Sequence, residues 1–208
     1  MWSHIRHFVS GVLVAAAGAL TLVAPAAAAE TAPDALVKST VDDVLGVIKN
    51  NRDRKVLLQV AEQKVLPHFD FETMTRLAVG RPWRDASPEQ RQALQNAFRT
   101  LLVNTYTTAL SQQDSVDGGF DVKPVQVKPG QKEVTVQSVV KPAGRPPVAV
   151  DYRMELKPNG WKVYDVIVEN LSLVTNYRGT FADEIAKNGI DGLIRSLQAK
   201  NRQVAASG

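Results

Sequence analysis

The chain has 208 residues, a formal net charge of +4, 44% hydrophobic and 22% charged residues, three histidines and no cysteine. Its mild, interspersed charge contains no basic arm of the kind nucleic-acid binders carry, and zero cysteines exclude disulfides, thiol catalysis and thiolate metal sites. The length suits a single domain with a real hydrophobic core.

The first segment reads as an export signal. Arg6 sits in a short basic stretch, an apolar run follows from Val9 to Val23, and Pro25 breaks it before a run of alanines. Ala27 and Ala29 satisfy the small-residue cleavage pattern, which places the cut after Ala29. The apolar run of about 15 residues falls short of the roughly 20 that a spanning helix needs. No cysteine follows to carry a lipid anchor, and no later segment approaches spanning length. The expected organisation is a cleaved signal at 1–29 and one soluble, exported domain at 30–208.

The exported part opens with helices. Asp34 is a candidate cap for a first helix with Val37, Val41, Val44 and Ile48 on one face and Leu45 beside them. A second helix carries Val56, Leu57, Val60, Ala61 and Val65 and ends at Pro67. Asp70 is the expected N-cap of a short helix over Phe71–Val79, with Phe69 and Met74 as a hydrophobic staple and Gly80 as its stop. Ser87-Pro88-Glu89-Gln90 has the form of a capping box, and the helix after it runs to about Ser111. Its wide stripe (Leu94, Phe98, Leu101, Leu102, Thr105, Ala109, with Ala93, Ala97 and Tyr106) predicts a helix lying across a sheet.

From Phe120 the period changes to two. Val134, Val136, Ser138 and Val140 alternate with polar residues, as do Val148, Val150, Tyr152, Met154 and Leu156, which is the mark of half-buried antiparallel strands. Pro158-Asn159-Gly160 is read as a three-residue turn pairing Lys157 with Trp161. That register sets Met154 opposite Tyr164, Tyr152 opposite Val166 and Val150 opposite Val168, with Arg153 and Asp165 paired on the other face. Phe181, Ile185, Leu193, Ile194 and Leu197 mark final helices. The predicted fold is α+β, a four-stranded antiparallel sheet with helices covering one face. The helical part is expected at about 34–112, the sheet at about 119–169 and the C-terminal helices at about 174–202.

Candidate chemistry is sparse. His4 and His7 leave with the signal, so any triad or two-histidine metal site would have to pass through His68, which reads as a structural residue beside a helix cap. The acid pairs Asp42-Asp43 and Asp183-Glu184 fall on polar helix faces, and Gly118-Gly119 is an ordinary turn before a strand. Asp165 interrupts an apolar strand; a cross-strand pair with Arg153 is the preferred reading and a general base the alternative. Arg76, Arg81 and Arg84, around Trp83, suit a lipid phosphate or acidic partner as well as a solvated surface. No catalytic, metal or cofactor site is predicted. The apolar face between sheet and long helix is compatible with a filled or a hollow interior, since periodicity is the same for both.

Two dense blocks, FDFETMTRLAVGRPWRDASPEQRQ at 69–92 and VYDVIVENLSLVTNYR at 163–178, resemble the MlaC family, also known as toluene-tolerance auxiliary proteins. The resemblance extends from the first helix to GIDGLIRSL at 189–197. It implies a sheet of the nuclear-transport-factor-like type plus extra helices, enclosing an apolar cavity for a diacyl phospholipid. It further implies a periplasmic, monomeric carrier that maintains outer-membrane lipid asymmetry. The implied partners are an inner-membrane ABC transporter with an MCE-domain subunit and an outer-membrane lipoprotein–porin complex. The resemblance turns the apolar face into a lipid cavity, and the lipid-binding residues expected on it are Met74, Leu77, Phe98, Leu102, Tyr106, Val150, Tyr152, Met154, Tyr164, Val166 and Val168. The alternative is a small-molecule enzyme, an isomerase or dehydratase, on a similar cone.

Overall fold

The computed structural model describes residues 31–111 and 119–206. The predicted export segment at 1–29 and Gly118 of the predicted Gly118-Gly119 turn lie outside the described residues. In chain order the elements are α1 (Pro33–Asn50), α2 (Arg54–Val60), α3 (Phe71–Val79), α4 (Pro88–Ser111), β1 (Phe120–Val122), β2 (Glu133–Val140), β3 (Val148–Lys157), β4 (Gly160–Val168), β5 (Leu171–Ser172) and α5 (Leu173–Ala206). Among the described residues, no helix is long and apolar enough to cross a membrane.

Most helix boundaries follow from local chemistry. Asp70 caps α3, its carboxylate accepting from the Thr73 backbone N–H at 2.9 Å and from the Thr73 hydroxyl at 2.7 Å. Gly80 ends α3 at φ 72°, a left-handed position that favours glycine. The Ser87–Gln90 box closes reciprocally at 3.2 and 3.0 Å. At α1 the expected cap is displaced: Ala32 occupies the N-cap, Pro33 the first helical position, and Asp34 sits in the first turn without capping. Pro33 suits that position because its missing N–H would be unpaired there anyway. Past α2 the chain widens into a π-helical turn at Ala61–Val65 and a 3₁₀ turn at Leu66–His68. Helix α5 is two helices joined at Gly189, whose φ of 69° and ψ of −176° break the helical path.

The sheet has five antiparallel strands in the order β1-β2-β3-β4-β5, one more than predicted, because Leu171–Ser172 turns back onto β4. The β3–β4 register is as expected in its outer half: Arg153 faces Asp165, Tyr152 faces Val166 and Val150 faces Val168. Near the turn it is shifted by one. Lys157 pairs with Gly160, not Trp161, and Met154 pairs with Val163, not Tyr164. The two-residue turn is tighter than the predicted one, and a bulge between Arg153 and Met154 absorbs the difference. That bulge re-aims Tyr164. Val163 and Val166 keep the same face, while Tyr164 joins the helical core on the other side.

Two apolar clusters result. In one, α1 lies on the sheet face formed by Val134, Val136, Met154, Trp161 and Val163. In the other, α3, α4 and α5 pack together around Phe98, Leu101, Phe181 and Leu193, with Tyr164 from the sheet. Helix α4 therefore does not lie across the sheet. Its stripe is satisfied by α5, where Phe98 meets Tyr177 and Phe181 edge-on at 4.9 and 5.1 Å between ring centres. The sheet face it was expected to cover is taken by α1.

Asp165 is 1% exposed and ties the sheet to α5. Its carboxylate accepts from the Ser172 hydroxyl at 2.7 Å and from the Val174 backbone N–H at 3.1 Å, with the Arg153 guanidinium at 3.9 Å. The predicted pairing with Arg153 is present, but under a helix end rather than on an open face. Replacing Asp165 with Ala leaves two donors unsatisfied and should cost about 2–3 kcal/mol in denaturant unfolding. A change within about 0.5 kcal/mol, typical of surface positions, would contradict this role.

Candidate functional site

Between the two clusters lies a half-open apolar cavity of about 600 Å³. Its walls come from α2 (Leu57, Val60), the start of α3 (Phe71, Met74), the C-terminal half of α4 (Leu102, Val103, Tyr106, Thr107, Leu110) and the end of β4 (Val166, Val168). Glu169, Leu171, Ser172 and Asn176 complete it at the β4–β5 turn and the start of α5. Three large apolar lining residues reach solvent, Tyr106 (46% exposed), Val168 (38%) and Leu171 (74%), as do Glu169 and Asn176, so the opening lies on that side. A second chamber of about 230 Å³ adjoins it under α1, lined by Leu36, Val37, Val41, Tyr152, Met154 and Val163 with Thr40 and His68. The two share Val44, Val65, Phe69 and Leu110.

Helix α2 and its π turn form a strap along the larger chamber, tied down by polar contacts on their outer side. Arg54 donates to Asn104 at 3.2 Å and to Thr108 at 3.4 Å on α4. Glu62 pairs with Arg99 of α4, and Lys64 with Asp43 of α1 at 3.4 Å. Polar residues thus face water while Leu57, Val60 and Ala61 line the cavity. Asp70 anchors the next segment through Lys157 at 3.1 Å. Although burial pushes its carboxyl up, hydrogen bonds from Thr73 and Lys157 outweigh that and hold it below the usual range.

Ionisable groups are few inside. Burial, reinforced by the neighbouring Lys162 ammonium, holds the His68 imidazole below its ordinary value, so it is neutral at pH 7. Burial pushes the Tyr152 phenol up to about 12 against an opposing hydrogen bond with Ser138. Apart from tyrosines, Glu169 and His68 are the titratable residues of the two linings. No group of three or more potential metal ligands occurs among the described residues.

Of the eleven predicted site residues, Met74, Leu102, Tyr106, Val166 and Val168 line the larger chamber and Tyr152 and Met154 the smaller. The other four line neither. Phe98 and Leu77 belong to the α3–α4–α5 core, the bulge turns Tyr164 into that same core, and Val150 lies one strand further from the opening. Arg76, Arg81 and Arg84 are exposed and likewise line neither chamber. Buried Trp83 packs the turn beneath them, where Arg91 donates to the carbonyls of Trp83 and Arg84, both at 3.1 Å. The α2 residues, Phe69, Phe71, Val103 and Leu110 were not predicted. Their apolar spacing was visible, but no sequence signal said that α2 would face a void.

The chain as a whole has counterparts among known proteins. A solved structure of the phospholipid-binding protein from Ralstonia solanacearum, in complex with a phospholipid, is 40% identical. It matches with a TM-score of 0.76 over 84% of this chain and 99% of that one. The intermembrane phospholipid transport system binding protein MlaC of Haemophilus influenzae is 24% identical over 196 residues, 88% of each chain. Toluene tolerance protein ttg2D of Pseudomonas putida is 28% identical over 186 residues, 86% of this chain and 82% of its own. Residues 38–199 match the family model described as MlaC protein. The chain belongs to the MlaC family.

Proposed function

We propose that the protein is a phospholipid carrier of the bacterial envelope, and that the apolar cavity of about 600 Å³ holds the acyl chains. The cavity is the observation that carries this reading, and the phospholipid bound by the 40%-identical Ralstonia protein gives it its ligand class. At about 0.8 kcal/mol per methylene, bringing two typical acyl chains into water costs on the order of 20–25 kcal/mol. Free diffusion between membranes is therefore negligible. A lining of Val, Leu, Met and Phe replaces the bilayer hydrocarbon and offsets most of that cost. Release requires that the carrier not hold lipid much better than the membrane does. Enclosing the tails and leaving the head group at the wet rim of Tyr106, Ser172 and Asn176 meets that requirement.

In this reading the protein works as a monomer in the periplasm and has no catalytic role. It exchanges lipid with an inner-membrane ABC transporter carrying an MCE-domain subunit and with an outer-membrane lipoprotein–porin complex, in support of outer-membrane lipid asymmetry. The name of the Haemophilus relative, a binding protein of an intermembrane phospholipid transport system, supports that placement. Mass spectrometry of protein purified without detergent is expected to recover diacyl phospholipid. A small metabolite in its place would favour the enzyme alternative, and an empty protein that takes up no lipid from vesicles would end the carrier reading.

A further inference from the structure

The two chambers touch at one aromatic side chain. Phe69 lines both, as do Val44, Val65 and Leu110. Among the described residues it is also the one that packs against both apolar clusters. Its backbone is fixed: the Phe69 N–H donates to the Leu66 carbonyl at 3.1 Å, Phe69 bridges to Val163, and the Asp70 N–H donates to the Val163 carbonyl at 2.8 Å. Its ring is half-buried and stacked on Phe71 at 5.7 Å between centres. A side chain on a fixed backbone that lines two adjoining voids can widen or narrow the way between them by a change of rotamer. The smaller chamber offers hydrocarbon chemistry, since Val37, Val41, Met154 and Val163 carry no polar group and its His68 is neutral.

Resting on the carrier reading, we propose that Phe69 gates the smaller chamber and that this chamber receives the methyl ends of long acyl chains, making Phe69 and Val41 determinants of chain-length selection. A chain that fits the larger chamber stops at the Phe69 ring; a longer one passes it. A methylene refused entry stays wet, and at about 0.8 kcal/mol each that lowers retention about 4-fold per methylene.

The test uses delipidated protein incubated with vesicles of equimolar dipalmitoyl and distearoyl phosphatidylethanolamine, with bound lipid measured by mass spectrometry. Wild-type protein should take up both lipids. Phe69→Trp, which closes the passage, and Val41→Phe, which fills only the smaller chamber, should each deplete distearoyl relative to dipalmitoyl lipid by about 15-fold or more, the effect of excluding the two extra methylenes of one chain. Phe69→Ala should enrich the distearoyl form. Circular dichroism establishes folding, and if Phe69→Trp does not fold, Val41→Phe alone decides. An unchanged ratio in folded Val41→Phe protein overturns the gate while leaving the carrier intact. No uptake of either lipid by wild type overturns the carrier reading, and the gate with it.

Discussion

Val166→Asp protein, purified without detergent, is expected to carry no phospholipid. Val166 lies on β4 opposite Tyr152 and lines the larger chamber beside Val168. A carboxylate there must either lose its water when acyl chains enter or hold water among them. The effective penalty for a desolvated ion in a protein is several kcal/mol, and every 1.4 kcal/mol is tenfold in affinity, so retention should fall by roughly 10³ or more. The fold should survive in the empty protein, because an unloaded, half-open chamber leaves the new carboxylate hydrated. Acidification supplies an internal control. Apolar surroundings raise a carboxyl pKa, so the neutral form returns as pH falls and part of the lipid uptake should return with it. Lipid retained at wild-type stoichiometry at pH 7 would show that the acyl chains lie elsewhere.

Much of this architecture was legible because short-range chemistry dictates it. The Asp70 cap, the Gly80 stop and the Ser87–Gln90 box depend on residues within four positions of one another, and all three form as read. The alternation in β2 and β3 fixed which side chains share a face, and the Arg153–Asp165 pairing followed. What the sequence concealed is longer in range. A one-residue choice at the Asn159 turn, compensated by a bulge at Tyr164, moved an aromatic ring from one core to another without disturbing the outer half of the hairpin. The apolar stripe of α4 states that a face is buried but not against what; α5 and α1 divided the roles expected of α4 and the sheet. The void is a further step removed, since a Leu that fills a core and a Leu that lines a cavity obey the same period. Seven of the eleven expected residues nevertheless line a chamber, because residues that approach the boundary of one cluster also approach the gap between two.

The distinction between filled and hollow is itself measurable, with a pair of tryptophans on the same helix. Val103 of α4 lines the larger chamber, whereas Ala97, 6% exposed, sits in the α4–α5 core with its carbonyl accepting from Asn201 at 2.9 Å. Val103→Trp adds a ring to space the lipid would hold, so lipid bound per protein should drop steeply. Its stability should stay close to that of delipidated wild-type protein. That reference matters, because bound ligand stabilises the native state by mass action and its loss alone lowers the apparent Tm. Ala97→Trp has no such space. Overpacking a close-packed interior costs typically about 1–3 kcal/mol, and this large substitution should reach the upper end or beyond, whether or not lipid is present. The paired readout is thermal stability together with lipid per protein. Equal destabilisation by the two substitutions would mean that the region around Val103 is ordinary core, and the cavity would lose its claim to the ligand. Lipid lost at Val103 with the delipidated stability preserved, set against stability lost at Ala97, would locate the hollow along α4 to within two turns of helix.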